Sequence, residues 1–296
     1  MALDNALLDS IRHGLFETLG EAVKLQWLRN LPGGDINQAA LLGGNNEKFF
    51  LKYHHDAPGD MFTTEAQALE DILRLDCIRV PRPIAVGKHG QISWFVMEYL
   101  ELTAAGPDAL LGEQLAAMHE KGHDYYGWHH DNYIGSTPQF NHRHDNWQSF
   151  WIEQRLQPQL EMADARGVGG SLLDKGARLL ASMEQLMDGH EPGASLLHGD
   201  LWAGNKAFTT AGQAVIFDPA SYYGDREADI AMTELFGGFD RDFYAAYQAH
   251  TPLPDAYPLR RDLYNLYHML NHLNLFGAAY HSRCEQMISS LLSQVR

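Results

Sequence analysis

The chain has 296 residues, of which 45% are hydrophobic and 20% charged, with 27 glycines and 12 prolines. This is the usage of a globular protein that buries a core without staples. Subtracting 38 acidic from 22 basic side chains leaves −16, a balance that argues against nucleic acid or an anionic membrane as partner. Cys77 and Cys284 stand far apart without C-x-x-C spacing, so neither a disulfide framework nor a cysteine metal site is expected. Asp4, Asp9 and Glu17 interrupt the start of the chain, and no apolar run reaches the roughly 18 residues of a membrane span. A cytoplasmic location is therefore expected.

Leu7, Leu8, Ile11, Leu15 and Phe16 fall on one side of a helical wheel and predict an amphipathic helix over residues 5–18. Between Val23 and Tyr53, short apolar runs alternate with the pairs Gly33-Gly34 and Gly43-Gly44, a pattern of three antiparallel strands ending in Lys48–Tyr53. A second helix is expected over 61–75, with Thr63 or Thr64 as its cap, followed by strands near 83–87 and 92–99. Beyond residue 100 the pattern turns helical, with helices expected at 107–121, 147–166, 171–188, 226–236, 240–249 and 258–294, the last broken near Gly277. Short strands are expected at 195–198 and 214–217. The organisation is thus a strand-rich lobe, 1–100, and a larger helical lobe, 101–296.

Chemistry concentrates in Leu197-His198-Gly199-Asp200-Leu201-Trp202-Ala203-Gly204-Asn205 and, after a turn, in Ile216-Phe217-Asp218-Pro219. Phosphoryl transfer needs a carboxylate on the attacking hydroxyl and oxygen donors that hold Mg²⁺ on nucleotide phosphates. Asp200, Asn205 and Asp218 are of those types, and H-x-D-x-x-x-x-N is the form of a protein-kinase catalytic loop. Lys52 on the third strand and Glu65 on the next helix suit the cation for the phosphates and its carboxylate partner. The Gly33-Gly34 turn reads either as an ordinary hairpin turn or as one that brings backbone N–H groups over phosphates, and the segment through Glu98, Tyr99, Leu100 and Glu101 is where a hinge would bind adenine. Asp225, Glu227 and Asp229 open a helix, where its dipole favours acids. The pairs His119/His123, His142/His144 and His268/His272 have no third ligand in sequence and read as packing or solvated surface. For Tyr125, Tyr126, Trp128, Tyr133, Trp147, Phe150 and Trp151 core packing is the default, with the substrate side of a cleft as the alternative.

These motifs resemble the fructosamine (ketosamine) kinase family, within the aminoglycoside phosphotransferase and choline kinase group of protein-kinase-like enzymes. The resemblance is carried by Leu31–Asn37, Phe49–Lys52, Thr64-Glu65-Ala66, Val80–Pro83, Leu196–Asn205, Phe217–Ala220 and Tyr223–Met232, and it runs from about residue 20 almost to the end. It implies an α+β, two-lobe protein-kinase-like fold and ATP-dependent phosphorylation of a sugar hydroxyl on a ketosamine, free or protein-linked. By the same resemblance Asp200 is the base, Asn205 and Asp218 hold Mg²⁺, Lys52 and Glu65 order the phosphates, and Trp202 lines the sugar pocket or packs. Some eukaryotic relatives carry a cysteine in the phosphate turn, where this chain has Asp35, so redox control there is not expected. Two other readings use the same residues: a phosphotransferase for an aminoglycoside or amino alcohol, and a nucleotide-binding pseudokinase.

Overall fold

Residues 5–32 and 36–295 are described by the computed structural model. They cluster into two units, Met1–Pro107 with Ala207–Asp218, and Asp108–Lys206 with Pro219–Arg296. The first unit therefore takes more chain than a cut at residue 100 gives it. Phe208 and Thr209 pair with Thr103 and Leu102, and the Ile216 N–H donates to Arg79 O at 3.0 Å, so the 207–218 segment folds with the N-terminal strands.

In the first unit, helix α1 (Asn5–Leu19) precedes strands β1 (Gln26–Leu31), β2 (Gln38–Gly44) and β3 (Glu47–His55), then helix α2 (Met61–Leu75) and strands β4 (Pro83–His89) and β5 (Ile92–Glu98). The five strands form one antiparallel sheet in the order β1-β2-β3-β5-β4. Period-2 apolar residues Leu42, Phe49, Leu51, Trp94 and Val96 give the sheet a buried face, and Leu7, Ile11 and Leu15 of α1 join the same core. Trp94 locks this contact. A Cβ at Gly14 or Gly87 would lie 2.5 or 2.2 Å from its ring, so only glycine admits the indole between α1 and β4. Helix α2 is preceded by Asp60 without a side-chain cap, and Thr64 is buried inside it with its hydroxyl donating to Met61 O, so neither Thr63 nor Thr64 caps the helix.

The second unit is mostly helical. Asp108–His119 packs closely on Arg241–His250 through Gly112, where a Cβ would meet Phe243 O at 2.3 Å. The helix expected over 147–166 is Trp147–Phe150, a π-helical stretch Trp151–Leu156, and Gln157–Ala165. The segment expected as 171–188 divides at Ser182 into Ser171–Ala181 and Met183–Leu186. Tyr257–Phe276 is buried on most sides, ends at Gly277 in a positive-φ conformation, and is followed by His281–Ser293. A small antiparallel sheet sets Ala194–Leu197 between Tyr222–Gly224 and Gly122–His123. Trp147, Phe150 and Trp151 are fully buried, and they are core. No helix among the described residues is long and apolar enough to cross a membrane.

Candidate active site

The first unit brings Lys52, Glu65 and Asp218 together. Lys52 is buried on β3, and its Nζ donates to Glu65 Oε1 of α2 at 2.7 Å and to Asp218 Oδ1. Burial opposes the ammonium charge, yet the two carboxylates outweigh it and hold Lys52 above its ordinary range. Glu65 is also pushed up, to about 7, by burial and by the neighbouring Asp218 charge, against the pull of Lys52. The two shifts have one cause: a single ammonium between two carboxylates stays charged itself but cannot fully compensate both. Asp218 is the more open of the two, its side chain 42% exposed against 11% for Glu65. Its backbone is left-handed at φ 58°, a conformation that costs an aspartate little and aims its side chain away from an extended course.

The predicted hinge is only partly available for ligand contact. Glu98 ends β5 with its carboxylate on Arg79 and on the Arg82 N–H; that side chain ties the end of β5 to the segment leading into β4. Lys48 reaches Glu101 at 3.0 Å and lies over the Tyr99 ring, while Leu100 is half-buried. Gly33 and Gly34 lie outside the described residues.

The second unit shapes the loop after Ala194–Leu197. Asp229 is buried below it and accepts the N–H of His198 at 2.7 Å and of Gly199 at 2.8 Å. Its third contact is His119 Nε2, whose Nδ1 pairs with the Tyr247 hydroxyl, a network that assigns the imidazole proton to Nε2. Burial works against the Asp229 charge, but these donors hold the carboxyl below its usual range. Gly199 has φ 82°, and a Cβ there would sit 2.1 Å from Ala220 O. The loop needs glycine on both counts. Ala220 is fixed in turn by its N–H to His198 O and by Gln139 Nε2 on its carbonyl.

On this platform stand Asp200 and Asn205. Asn205 Nδ2 donates to Asp200 O at 2.9 Å, which engages the amide nitrogen within the loop and leaves the amide oxygen as the group suited to a cation. The amide oxygen of Asn205 and, in the first unit, the carboxylate of Asp218 are each of the hard-oxygen type that Mg²⁺ takes. Trp202 is 42% exposed and lies over Gly204, where a Cβ would meet its ring at 2.2 Å. It is not a core residue.

Sequence reasoning missed two residues here. His268, read as packing or surface, is buried on Tyr257–Phe276 with Nδ1 3.9 Å from Asp200 Oδ1; its i, i+4 pairing with His272 gave no hint of this. Arg155 is fully buried on the π-helical stretch, bonded to Asn141 Oδ1 and stacked 3.9 Å from the Tyr222 ring centre. A lone arginine in a predicted helix normally signals surface. Asp225 and Glu227 are structural as well: Tyr264 donates to Asp225, and Arg260 grips Glu227 in two bonds of 2.8 and 2.7 Å.

A family model described as Fructosamine kinase matches residues 7–294. A probable ketoamine kinase of Synechocystis sp. is 42% identical over 286 residues, 96% of each chain. The chloroplastic protein-ribulosamine 3-kinase of Oryza sativa subsp. japonica is 39% identical over 292 residues, 97% of this chain and 85% of that one. Among solved structures, a protein from Haemophilus somnus 129PT assigned as a fructosamine-3-kinase superposes with a TM-score of 0.88 at 28% identity, covering 97% and 98% of the two chains. A thermostable mutant of the aminoglycoside phosphotransferase APH(4)-Ia superposes with a TM-score of 0.58 at 16% identity over 94% and 98% of the two chains, a likeness of fold alone.

Proposed function

The chain belongs to the fructosamine kinase family and is a kinase with a kinase-like fold, and from that premise we propose that it transfers the γ-phosphoryl group of ATP to a sugar hydroxyl of a ketosamine. Asp200 accepts the proton of the attacking hydroxyl. Lys52, steadied by Glu65, neutralises nucleotide phosphates. Asp218 and Asn205 are the residues that would hold Mg²⁺, which would supply positive charge to the phosphates. Trp202 offers an exposed indole face to the sugar, a surface that packs on C–H groups without competing for hydroxyls. Backbone groups of residues 99–101 take the adenine.

The observation that carries this reading is the Asp229 clamp. A buried carboxylate that bonds two consecutive N–H groups just before Asp200 holds the backbone that carries it and leaves the Asp200 carboxylate to the acceptor, which suits a base more than a mere binding module. The test is an acceptor panel read by ATP consumption: fructose- and ribose-derived ketosamines, their parent sugars, an aminoglycoside and choline. Turnover of a ketosamine in preference to its parent sugar is the expected result. Turnover of aminoglycoside or choline alone would move the substrate class and leave the phosphotransfer chemistry standing. ATP binding without any turnover would favour a pseudokinase.

A further inference from the structure

Two short strands of the second unit, Asn132–Ile134 and Thr137–Gln139, pair in antiparallel register with Asn132 opposite Gln139. That register sets the two side chains next to each other on one face, and both are buried. A buried amide costs free energy unless its donors and its acceptor are met. Those of Gln139 are: Nε2 donates to Asn132 Oδ1 at 2.8 Å and to Ala220 O at 2.9 Å, and Oε1 accepts the Tyr267 hydroxyl at 2.7 Å. Asn132 Nδ2 donates in turn to Ser221 O at 2.8 Å. Burial pushes the Tyr267 hydroxyl up to about 12, so near neutral pH it keeps the proton it gives to Oε1. The reverse orientation of the Gln139 amide would set Oε1 against two acceptors, so Nε2 is the group turned towards Ala220.

We propose that Gln139 is a positioning residue for phosphoryl transfer: with Asn132 it grips the carbonyls of Ala220 and Ser221, and through Ala220 it fixes the loop that carries Asp200. The proposal rests on the kinase reading above. Ala220 is the link. Its N–H donates to His198 O at 2.8 Å, and its carbonyl is the atom that a Cβ at Gly199 would meet at 2.1 Å. The loop thus lies against Ala220 over the two residues just before Asp200. Asp229 fixes the N–H groups of that pair, and Ala220 fixes the His198 carbonyl between them. A buried network whose members are all bonded is rigid, whereas removing the Gln139 donors takes a bond from Ala220 O and frees that segment to move. A shift there passes to Asp200 through the backbone.

Gln139→Met keeps the side-chain length and removes both donors, and Tyr267→Phe removes only the hydroxyl that turns the amide. With a ketosamine as acceptor, kcat should fall on the order of 10²-fold in Gln139→Met, the cost of a misplaced catalytic group. KM for ATP should stay within about twofold of wild type. Tyr267→Phe should lose kcat in the same direction but by less. A loss of placement, unlike a loss of folded protein, vanishes once the placed group is gone. In an Asp200→Asn background, Gln139→Met should therefore cost about threefold or less, with thermal melts to establish that each variant is folded. Native-state hydrogen exchange gives a readout that needs no turnover. The amides of Gly199 and Ala220 should exchange about tenfold or more faster in Gln139→Met, with those of Ser171–Ala181 unchanged. Where Gln139→Met melts without a cooperative transition, Tyr267→Phe carries the same comparisons. Equal losses in the two backgrounds, wild-type kcat in Gln139→Met, or unchanged exchange at Gly199 and Ala220 overturns the proposal. Faster exchange in the variant, with no acceptor turned over by wild type, would sink the kinase reading and keep the grip on the loop.

Discussion

On the proposed function, Asp200 and the Lys52 cluster work through different devices, one a carboxylate on a clamped loop and the other a cation shared by two carboxylates. Asp200→Asn keeps the side-chain volume and removes the proton acceptor, so kcat should fall on the order of 10²-fold or more, while calorimetry should show nucleotide affinity unchanged. Wild-type kcat in the purified variant would remove Asp200 from the mechanism. Glu65 makes a prediction about pH. Its folded-state value is raised from 4.5 to about 7, so between those values the folded protein binds more protons than the unfolded chain. Its contribution to stability therefore falls as pH rises through that window. Denaturant midpoints measured from pH 4.5 to 7.5 should show wild type losing stability relative to Glu65→Gln as pH increases. A difference that grows with pH instead would mean that Lys52 keeps Glu65 ionised throughout. Lys52, Glu65, Asp200, Asn205 and Asp218 were legible in the sequence because their spacing follows the strand, helix and loop that carry them. His268 was not, because what makes it notable is an atom 68 positions away in the chain.

Elements position these residues through close backbone approaches at glycine. The loop after Ala194–Leu197 passes so near Ala220 O that Gly199 tolerates no Cβ, and its φ of 82° is a second barrier. Gly199→Ala combines that contact with a left-handed strain of about 1–2 kcal/mol. Either the loop shifts or the protein loses stability. Because displacement of a catalytic group by about 1 Å can cost 10²-fold, kcat should drop by that order even where the melt shows a folded protein. A variant with unchanged kcat and melting temperature would show that the loop is not held as tightly as the Asp229 bonds imply. The π-helical stretch Trp151–Leu156 marks where periodicity falls short. One extra residue per turn rotates the helix face and takes Arg155 into the interior, where carbonyls, an amide and aromatic rings receive it. A wheel drawn with one fixed period cannot show that turn.

For the whole molecule, the net charge of −16 sets a field that attracts cations and repels ATP. A ketosamine amine is largely protonated near neutral pH, so its advantage over the parent sugar in kcat/KM should shrink as salt rises from about 0.01 to 0.15 M, over which the screening length falls from about 30 to 8 Å. A preference independent of salt would show that selection is made by contact alone. At this scale the sequence by itself determined most of the helices and strands, the change from strand-rich to helical chain, and which residue types are candidates for phosphotransfer. Each of these is written in local spacing, which periodicity and motif order expose. Only the tertiary structure decided that 207–218 folds with the N-terminal unit, that Asp229 clamps the Asp200 loop rather than merely opening a charged helix, and that the buried His268 lies 3.9 Å from Asp200. These are pairings between residues far apart in the chain, selected by where backbones pack and which buried polar groups must be satisfied, and no local pattern records them.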